Sequence, residues 1–132
     1  MADTLSPKAR ELIARPVLAS LTTLGPDGSP QITPLWIDQD GDDLLFNTAE
    51  GRVKARHMHR EPRVAVSVID PDDPYNVVAL QGTVTDITTE GADAHIDALA
   101  HKYLGVDSYP MRREGEVRIT VRVRTDHIAM QG

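Results

Sequence analysis

The stretch from Asn47 to Lys54 combines residue types that bind an anion. Asn47 and Thr48, whose side chains form hydrogen bonds, end a segment with the pattern of a strand, and Gly51 follows them. Arg52 and Lys54 then open a segment of helical character. A helix N-terminus presents free N–H groups and a partial positive charge, and Thr48, Arg52 and Lys54 add charge-assisted hydrogen bonds. The pattern therefore predicts a phosphate site at a strand-to-helix turn.

The cations of the chain are concentrated around this stretch. Five of the 14 Lys and Arg residues lie within twelve positions, namely Arg52, Lys54, Arg56, Arg60 and Arg63. The chain as a whole is acidic, with a formal net charge of −6. Local positive charge in an acidic protein favours a bound anion, and a solvated helix face is the alternative interpretation. The overall acidity disfavours nucleic-acid binding, which needs a basic face.

Other patterns of catalysis and metal binding are absent from the sequence. It contains no GxSxG, P-loop or GxGxxG motif, and no catalytic residue is predicted. The lack of cysteine excludes disulfides, thiolate ligands and a cysteine nucleophile. The five histidines are scattered, so we expect no zinc site. The cluster of Asp70, Asp72 and Asp73 lacks the spaced ligands of a calcium loop, and a solvated loop is expected there.

The length of 132 residues indicates a single domain over residues 1–132. Hydrophobic residues make up 40% of the chain and charged residues 26%, which is typical of a globular protein. No apolar run approaches the roughly 20 residues that a membrane span requires. The first residues also lack the apolar core of a signal peptide. We therefore expect a cytoplasmic protein without a membrane span.

Periodicity and turn residues predict two or three helices and six strands. The predicted helices are Pro7–Ala14, capped by Ser6, then Glu50–Arg60, and Thr89–Leu104, ended by Gly105. The predicted strands are Val17–Leu24, Pro30–Asp38, Asp43–Thr48, Arg63–Ile69, Val77–Ile87 and Val117–Val123. Asp70–Pro74 and Val106–Glu114 are predicted to be irregular.

These elements predict an α+β fold built around a mostly antiparallel β-barrel. Short connections predict that the first three strands form an antiparallel meander. The apolar residues of Val77–Leu80 do not alternate with polar ones, a pattern typical of a strand covered on both faces. In so small a chain, a second subunit is a candidate for the outer cover.

Five short motifs occur in an order that is similar to one known family. They are Gln31-Ile32-Thr33-Pro34-Leu35-Trp36, Leu45-Phe46-Asn47-Thr48-x-x-Gly51-Arg52-x-Lys54-x-Arg56, Arg60-Glu61-Pro62-Arg63-Val64, Gly82-Thr83-Val84 and Lys102-Tyr103-Leu104-Gly105. In this order and spacing the sequence resembles the flavin and deazaflavin oxidoreductases of the split β-barrel fold, the pyridoxamine-phosphate-oxidase-like superfamily. The most similar branch uses the deazaflavin coenzyme F420, and the resemblance covers about residues 5 to 130.

The resemblance implies a homodimer that binds its cofactor in a groove between subunits. The residues that match the phosphate-binding cations are Arg52 and Lys54, and the polar residues beside them are matched by Asn47 and Thr48. The strand alongside the deazaflavin ring is matched by Gln31, Thr33, Pro34, Leu35 and Trp36. A neighbouring strand, whose backbone lies close to the ring, is matched by Leu80, Gln81 and Gly82. The chain departs from the family at His57-Met58, where Asn-Leu is frequent, so a polar contact from position 57 is not carried over.

Several of these residues have a structural alternative. Trp36, the only tryptophan, is predicted either to face the cofactor or interface or to pack in the core. Gly82 is a candidate for close strand packing alone. Tyr103 and Tyr109 are expected to be packing residues. Met111 and residues 127–130 are candidates for a substrate pocket across the dimer.

The resemblance implies a deazaflavin-dependent reductase that transfers a hydride from reduced F420 to a small conjugated or electron-poor acceptor. The cofactor carries such chemistry while the protein binds and orients it, which accounts for the lack of a catalytic motif. An FMN-dependent oxidoreductase of the same fold is the first alternative, because both cofactors present a tricyclic ring and a phosphate. A non-catalytic F420- or flavin-binding protein and a heme- or small-molecule-binding barrel are further alternatives.

Overall fold

The computed structural model describes residues 2–132 as three helices and a seven-stranded sheet. The helices are α1 (Pro7–Ala14), α2 (Val53–Arg60) and α3 (Ala92–Leu104). The strands are β1 (Ala19–Leu24), β2 (Pro30–Leu35), β3 (Asp38–Asp40), β4 (Asp43–Ala49), β5 (Arg63–Asp70), β6 (Asp73–Thr88) and β7 (Arg118–Met130). All strand pairs are antiparallel, in the order β2-β1-β5-β6-β7-β4-β3.

A break at Trp36 and Ile37 divides the second predicted strand and gives the barrel its shape. β2 pairs with β1, whereas β3 pairs with β4 at the other edge of the sheet. Since three Cα–Cα steps span at most about 11 Å, the two edges of the sheet must come together at the break. The sheet therefore curls into a barrel that stays open between β2 and β3, the predicted α+β split barrel.

The predicted three-strand meander is divided into two separate hairpins, because β1 pairs with β2 and β3 pairs with β4 across the predicted turn at residues 40–43. β4 pairs with β7, with Phe46 opposite Val121, and has no ladder with β2. The reason lies in the break, because the backbone groups of Ile37 bond to α3 instead of continuing either ladder. Ile37 N–H donates to Tyr103 Oη at 3.0 Å, and Ile37 C=O accepts from Lys102 Nζ at 2.7 Å.

The hydrophobic core fills the barrel interior. β5 alternates strictly, with Val64, Val66 and Val68 buried, and β4 and β7 contribute the fully buried Phe46 and Val121. Burial of each such side chain contributes roughly 1.5–3 kcal/mol. Helix α1 adds further apolar side chains to the same core, namely Ala9, Leu12 and Ile13. Its predicted N-cap is present, since Ser6 Oγ accepts from Ala9 N–H at 3.1 Å.

The predicted loop Asp70–Pro74 is instead a tight turn, because β6 already begins at Asp73. Asp70 is buried, although the sequence predicted a solvated loop at this position. Its carboxylate accepts from Asp72 N–H at 2.9 Å and from Asn76 Nδ2 at 3.1 Å, and it pairs with Arg15 at 2.9 Å. These contacts, the backbone N–H first, lower the pKa of Asp70 to about 2.

The apolar stretch Val77–Leu80 faces two environments. Val78 and Leu80 are buried in the barrel core, whereas Val77 and Ala79 lie half-buried on the outer face of the sheet. Around Ala79 this outer face carries small side chains, including Ala65 and Ser67 of the neighbouring strand. The strand is thus apolar on both sides, as predicted, and one side is covered by this chain.

Candidate functional site

A cleft of about 270 Å³ lies where the end of β4, the start of α2, α3 and residues 106–118 meet. It brings together seven of the twelve site residues predicted from the sequence, namely Pro34, Leu35, Trp36, Asn47, Thr48, Arg52 and Lys54. Residues distant in the sequence complete its lining, namely Leu18, Ile96, Leu99, Tyr109, Met111 and Arg118. One end of the cleft is cationic and another wall is aromatic.

The cationic end results from the tight turn between β4 and α2. Gly51 has φ +87°, a backbone conformation that glycine adopts without the steric cost of a side chain. Arg52 therefore becomes the N-cap of α2, and Lys54 lies in the first turn of that helix. Arg118 joins them from β7, because its partner across the ladder is Ala49, the last residue of β4. Three cations thus line one cleft beside a helix N-terminus.

The electrostatics of the cleft favour an anion. Burial lowers the pKa of Lys54, and the nearby positive charges of Arg52 and Arg118 lower it further. No carboxylate of the described chain lines the cleft itself, and the single carboxylate of Glu116, which pairs with Arg118 at 3.1 Å and lies 3.8 Å from Arg52, offsets only part of this charge. A bound anion would stabilise all three cations, so the donor set fits a phosphate group.

Asn47 orients Arg118 through a chain of hydrogen bonds. Arg118 Nε donates to Asn47 Oδ1 at 2.9 Å, and Asn47 Nδ2 lies 3.2 Å from His95 Nδ1. His95 Nε2 lies 3.2 Å from Asp38 Oδ2. This network assigns the proton of a neutral His95 to Nε2. Asn47 Nδ2 also donates to Ala92 C=O at 2.8 Å. The Asn47 amide is therefore engaged with protein groups on both its oxygen and its nitrogen.

The aromatic wall is built around Trp36, which lies in the break between β2 and β3. Its ring stacks on Tyr103 at 5.0 Å with an interplanar angle of 12°. Tyr109 meets it edge-on at 6.0 Å, and the Arg118 guanidinium lies 5.2 Å from the Tyr109 ring centroid. Trp36 is thus a half-buried lining residue. Tyr103 packs as expected, but Tyr109 also lines the cleft.

Five predicted site residues lie outside this cleft, namely Gln31, Thr33, Leu80, Gln81 and Gly82. Gln81 and Gly82 line a groove of about 430 Å³ on the outer face of the sheet, together with Arg63 and Asp126. Leu80 is buried in the core. On β2, Gln31 Oε1 and Thr33 Oγ1 are buried atoms without a hydrogen-bond partner in the chain. One protomer therefore does not unite the full predicted set.

Close strand packing requires a glycine at position 82, whether or not a cofactor is bound nearby. A Cβ at this position would lie 2.6 Å from Val123 Cγ1 and 2.7 Å from the Arg124 carbonyl oxygen. The ladder between β6 and β7 shifts register between Gln81 and Gly82. β7 can approach this closely only because position 82 has no side chain.

His57, the position that departs from the family, anchors α2 to the barrel. Its Nδ1 lies 2.9 Å from the buried Thr23 Oγ1 on β1. The contact positions the helix that carries Arg52 and Lys54. No histidine lines the cleft, and no group of three or more potential metal ligands occurs within residues 2–132.

Arg118 and Tyr109 are the polar cleft residues that sequence reasoning missed as ligand contacts, and Leu18, Ile96 and Leu99 are the apolar ones. Arg118 appears in the sequence as one of several cations that alternate along the last strand. Nothing local distinguishes it from Arg122 or Arg124; only the register of β7 against β4 directs it into the cleft. Met111, predicted for a pocket across the dimer, lines the cleft of its own chain.

Comparison with known proteins identifies the relatives of this architecture. Residues 5–128 match the family model described as pyridoxamine 5'-phosphate oxidase. The chain is similar to the solved structure of an F420 reductase, with 34% identity, a TM-score of 0.82, and coverage of 91% of this chain and 94% of that one. Within residues 2–132, no helix has the length and apolar character to cross a membrane.

Two more distant structures share the fold. A conserved hypothetical protein from Mycobacterium tuberculosis is 23% identical, with a TM-score of 0.73 and coverage of 97% of this chain and 86% of that one. A heme storage protein from Vibrio cholerae is 12% identical, with a TM-score of 0.68 and coverage of 98% and 96%. At these identities the similarity shows the fold alone.

Proposed function

The chain belongs to the pyridoxamine 5'-phosphate oxidase family, and from this premise we propose that it is a deazaflavin-dependent reductase. Its coenzyme would be F420, and its substrate a small conjugated or electron-poor acceptor. The similarity to an F420 reductase at 34% identity over 91% of the chain supports this choice. When bound, the reduced coenzyme supplies the hydride, and the protein supplies binding and orientation.

The observation that carries the proposal is the union of a cationic end and an aromatic wall in one cleft. Arg52, Lys54 and Arg118 would hold the phosphate group through charge-assisted hydrogen bonds. Trp36 is held by Tyr103 behind it, so it offers a fixed surface beside the ring system. Pro34 and Leu35 add apolar contacts and exclude water. Asn47 and Thr48 line the cleft near the end of β4, and Asn47 acts by positioning Arg118.

We propose further that a second copy of the chain completes the site. The cleft of about 270 Å³ falls below the roughly 300–1,000 Å³ of pockets that enclose a drug-sized ligand. The five predicted residues outside the cleft lie on β2 and β6; Gln81 is exposed, Gln31 and Thr33 are half-buried, and Leu80 and Gly82 are buried, so only the backbone of these last two could approach a shared ligand. Gln31, Thr33, Leu80, Gln81 and Gly82 would then belong to the part of the groove shared between subunits.

Parallel titrations with oxidised F420 and FMN test the cofactor. The lone Trp36 lies in the cleft, so quenching of its emission reports binding there. We expect F420 to bind more tightly than FMN. Lys54→Ala should weaken binding tenfold to hundredfold, since loss of a charged hydrogen bond costs about 1.5–3 kcal/mol. Lys8→Ala, at an exposed lysine on α1, removes the same charge elsewhere and should leave binding unchanged.

If FMN bound more tightly than F420, the result would contradict the choice of F420 and support an FMN-dependent oxidoreductase that uses the same site. Unchanged affinity in both Lys54→Ala and Arg52→Ala would contradict the assignment of a phosphate site to the cleft.

Turnover distinguishes a reductase from a non-catalytic carrier. With reduced F420, the wild-type chain should reduce at least one member of a panel of quinones, enones, tetrapyrroles and nitroaromatics. Tight binding with no rate above the uncatalysed one across the panel would support a non-catalytic coenzyme-binding protein.

A further inference from the structure

Glu116 lies directly behind the cationic end of the cleft. Its side chain is 9% exposed, and the Arg118 side chain beside it is 6% exposed. Glu116 Oε1 lies 3.1 Å from Arg118 Nη1, and Glu116 Oε2 lies 3.8 Å from Arg52 Nη2. One carboxylate thus faces two of the three cleft cations without itself lining the cleft.

The two guanidinium groups are held to different degrees. Arg118 is held by Glu116 and also by Asn47 and the Tyr109 ring. Arg52 has a side chain that is 48% exposed, and Glu116 is its only carboxylate partner among the described residues. An anion in the cleft would therefore draw Arg52 away from Glu116 more easily than it would draw Arg118.

The charge of the site follows from these contacts. Arg52, Lys54 and Arg118 bring three positive charges, and Glu116 offsets one of them, which leaves a net charge of about +2. Interaction energy between charges grows with the product of the charges. A carboxylate at this position therefore repels a ligand with three negative charges more than a ligand with two.

We infer that Glu116 sets the charge preference of the anion site, because its carboxylate lowers the affinity of the cleft for highly charged groups such as pyrophosphate more than for a single phosphate group. The inference rests on the anion-binding role given to the cleft in the proposed function. Glu116 lies in the irregular segment before β7, outside the strand-to-helix turn that carries Arg52 and Lys54.

Calorimetric titration with inorganic phosphate and with inorganic pyrophosphate, at one ionic strength, tests the inference. Glu116→Gln keeps the shape of the side chain and removes its charge. We expect it to tighten phosphate binding roughly tenfold and pyrophosphate binding severalfold more, so the preference shifts toward pyrophosphate. Glu114→Gln makes the same charge change at an exposed position of the same segment and should retain the wild-type preference.

A second variant separates charge from positioning. Glu116→Asp keeps the charge but shortens the side chain, so it should retain the wild-type preference even if the contact with Arg52 is lost. Weaker binding of both anions to Glu116→Gln, or an unchanged preference, would overturn the inference. So would a Glu116→Asp variant with the preference expected of Glu116→Gln.

Different experimental results would contradict the proposed function and this inference. A wild-type chain that binds both anions with the expected shift in Glu116→Gln, but binds no coenzyme, would leave the inference standing and remove the proposed function. A chain that binds coenzyme and shows no shift would do the reverse. A wild-type chain that binds neither anion would overturn the inference.

Discussion

Arg118 and Asn47 show how the role of a side chain depends on its neighbours. As a polar residue at a strand end, Asn47 is expected to contact a ligand. In the structure its amide oxygen accepts from Arg118 and its nitrogen donates to Ala92 C=O. His95 and Asp38 continue this series of side-chain hydrogen bonds. A buried guanidinium that is fixed in this way loses little further side-chain freedom on binding an anion. Asn47 is therefore a positioning residue for Arg118.

At the same scale, the lowered pKa of Lys54 predicts how anion affinity depends on pH. In the free protein, burial and the charges of Arg52 and Arg118 hold this pKa below its ordinary value of 10.5. A bound anion favours the ammonium form and raises the pKa. Affinity is therefore fully present below the lowered pKa and falls as pH rises through it. Phosphate keeps its two charges above about pH 8, since the second pKa of a phosphate group is about 6.

Lys54→Arg supplies the matched control, because arginine stays charged over this range. Phosphate affinity of the wild-type chain should fall as the pH rises from about 8 to the ordinary lysine pKa of 10.5, and that of Lys54→Arg should stay nearly constant. Calorimetry at the two pH values measures both ratios. An equal decline in the two proteins would assign the pH dependence to another group.

At the scale of elements, α3 holds the break that shapes both the barrel and the cleft. Lys102 Nζ donates to Ile13 C=O at the end of α1 and to Ile37 C=O in the break, both at 2.7 Å. Tyr103 Oη accepts from Ile37 N–H at 3.0 Å and donates to Val17 C=O at 2.6 Å. The Tyr103 ring supports Trp36. One turn of helix thus satisfies backbone groups that neither β2 nor β3 can pair.

Tyr103→Phe tests this role, because it keeps the stacked ring and removes the hydroxyl. It leaves the Ile37 N–H without its partner, which should lower the free energy of unfolding by about 1–3 kcal/mol. Coenzyme binding should weaken as well, because the hydrogen bond from Ile37 N–H to Tyr103 Oη fixes the backbone next to Trp36. Urea denaturation and the fluorescence titration measure the two effects.

Tyr75→Phe is the control for that substitution, because Tyr75 is 92% exposed. It should change neither stability nor binding. Wild-type stability in Tyr103→Phe would show that the stacked ring, and not the hydroxyl, holds the break.

At the scale of the whole molecule, the predicted site residues divide between a cleft and the outer face of the sheet. Trp36, Arg52 and Lys54 line the cleft, whereas Gln81 and Gly82 line the groove on the outer face. In a two-fold dimer, the commonest symmetric oligomer, an interface that includes both surfaces would bring the cleft of one chain to the outer face of the other. The small side chains around Ala79 leave room there for an approaching subunit.

We therefore predict a dimer of about 29 kDa, twice the 14.5 kDa of one chain, by light scattering at micromolar concentration. Ala79→Arg places a charge on the outer face and should yield monomers that bind coenzyme more weakly. Ala98→Arg places the same charge at an exposed position of α3 and should leave the dimer intact. A wild-type chain with monomer mass and full coenzyme affinity would contradict the shared groove.

The sequence by itself determined the features that depend on neighbouring residues. Caps, alternation and turn residues predicted the α+β elements, the cap at Ser6 and the strand-to-helix turn that carries Arg52 and Lys54, since these features have local causes. The motif order predicted the family. Only the tertiary structure decided that Pro30–Asp38 breaks at Ile37, where α3 captures the backbone. It also decided that Arg118 joins the cationic turn, because the register of β7 against β4 is a long-range pairing that no local pattern specifies. Glu116 then pairs with Arg118, and Asp97 of α3 holds the backbone of Tyr109 at the cleft.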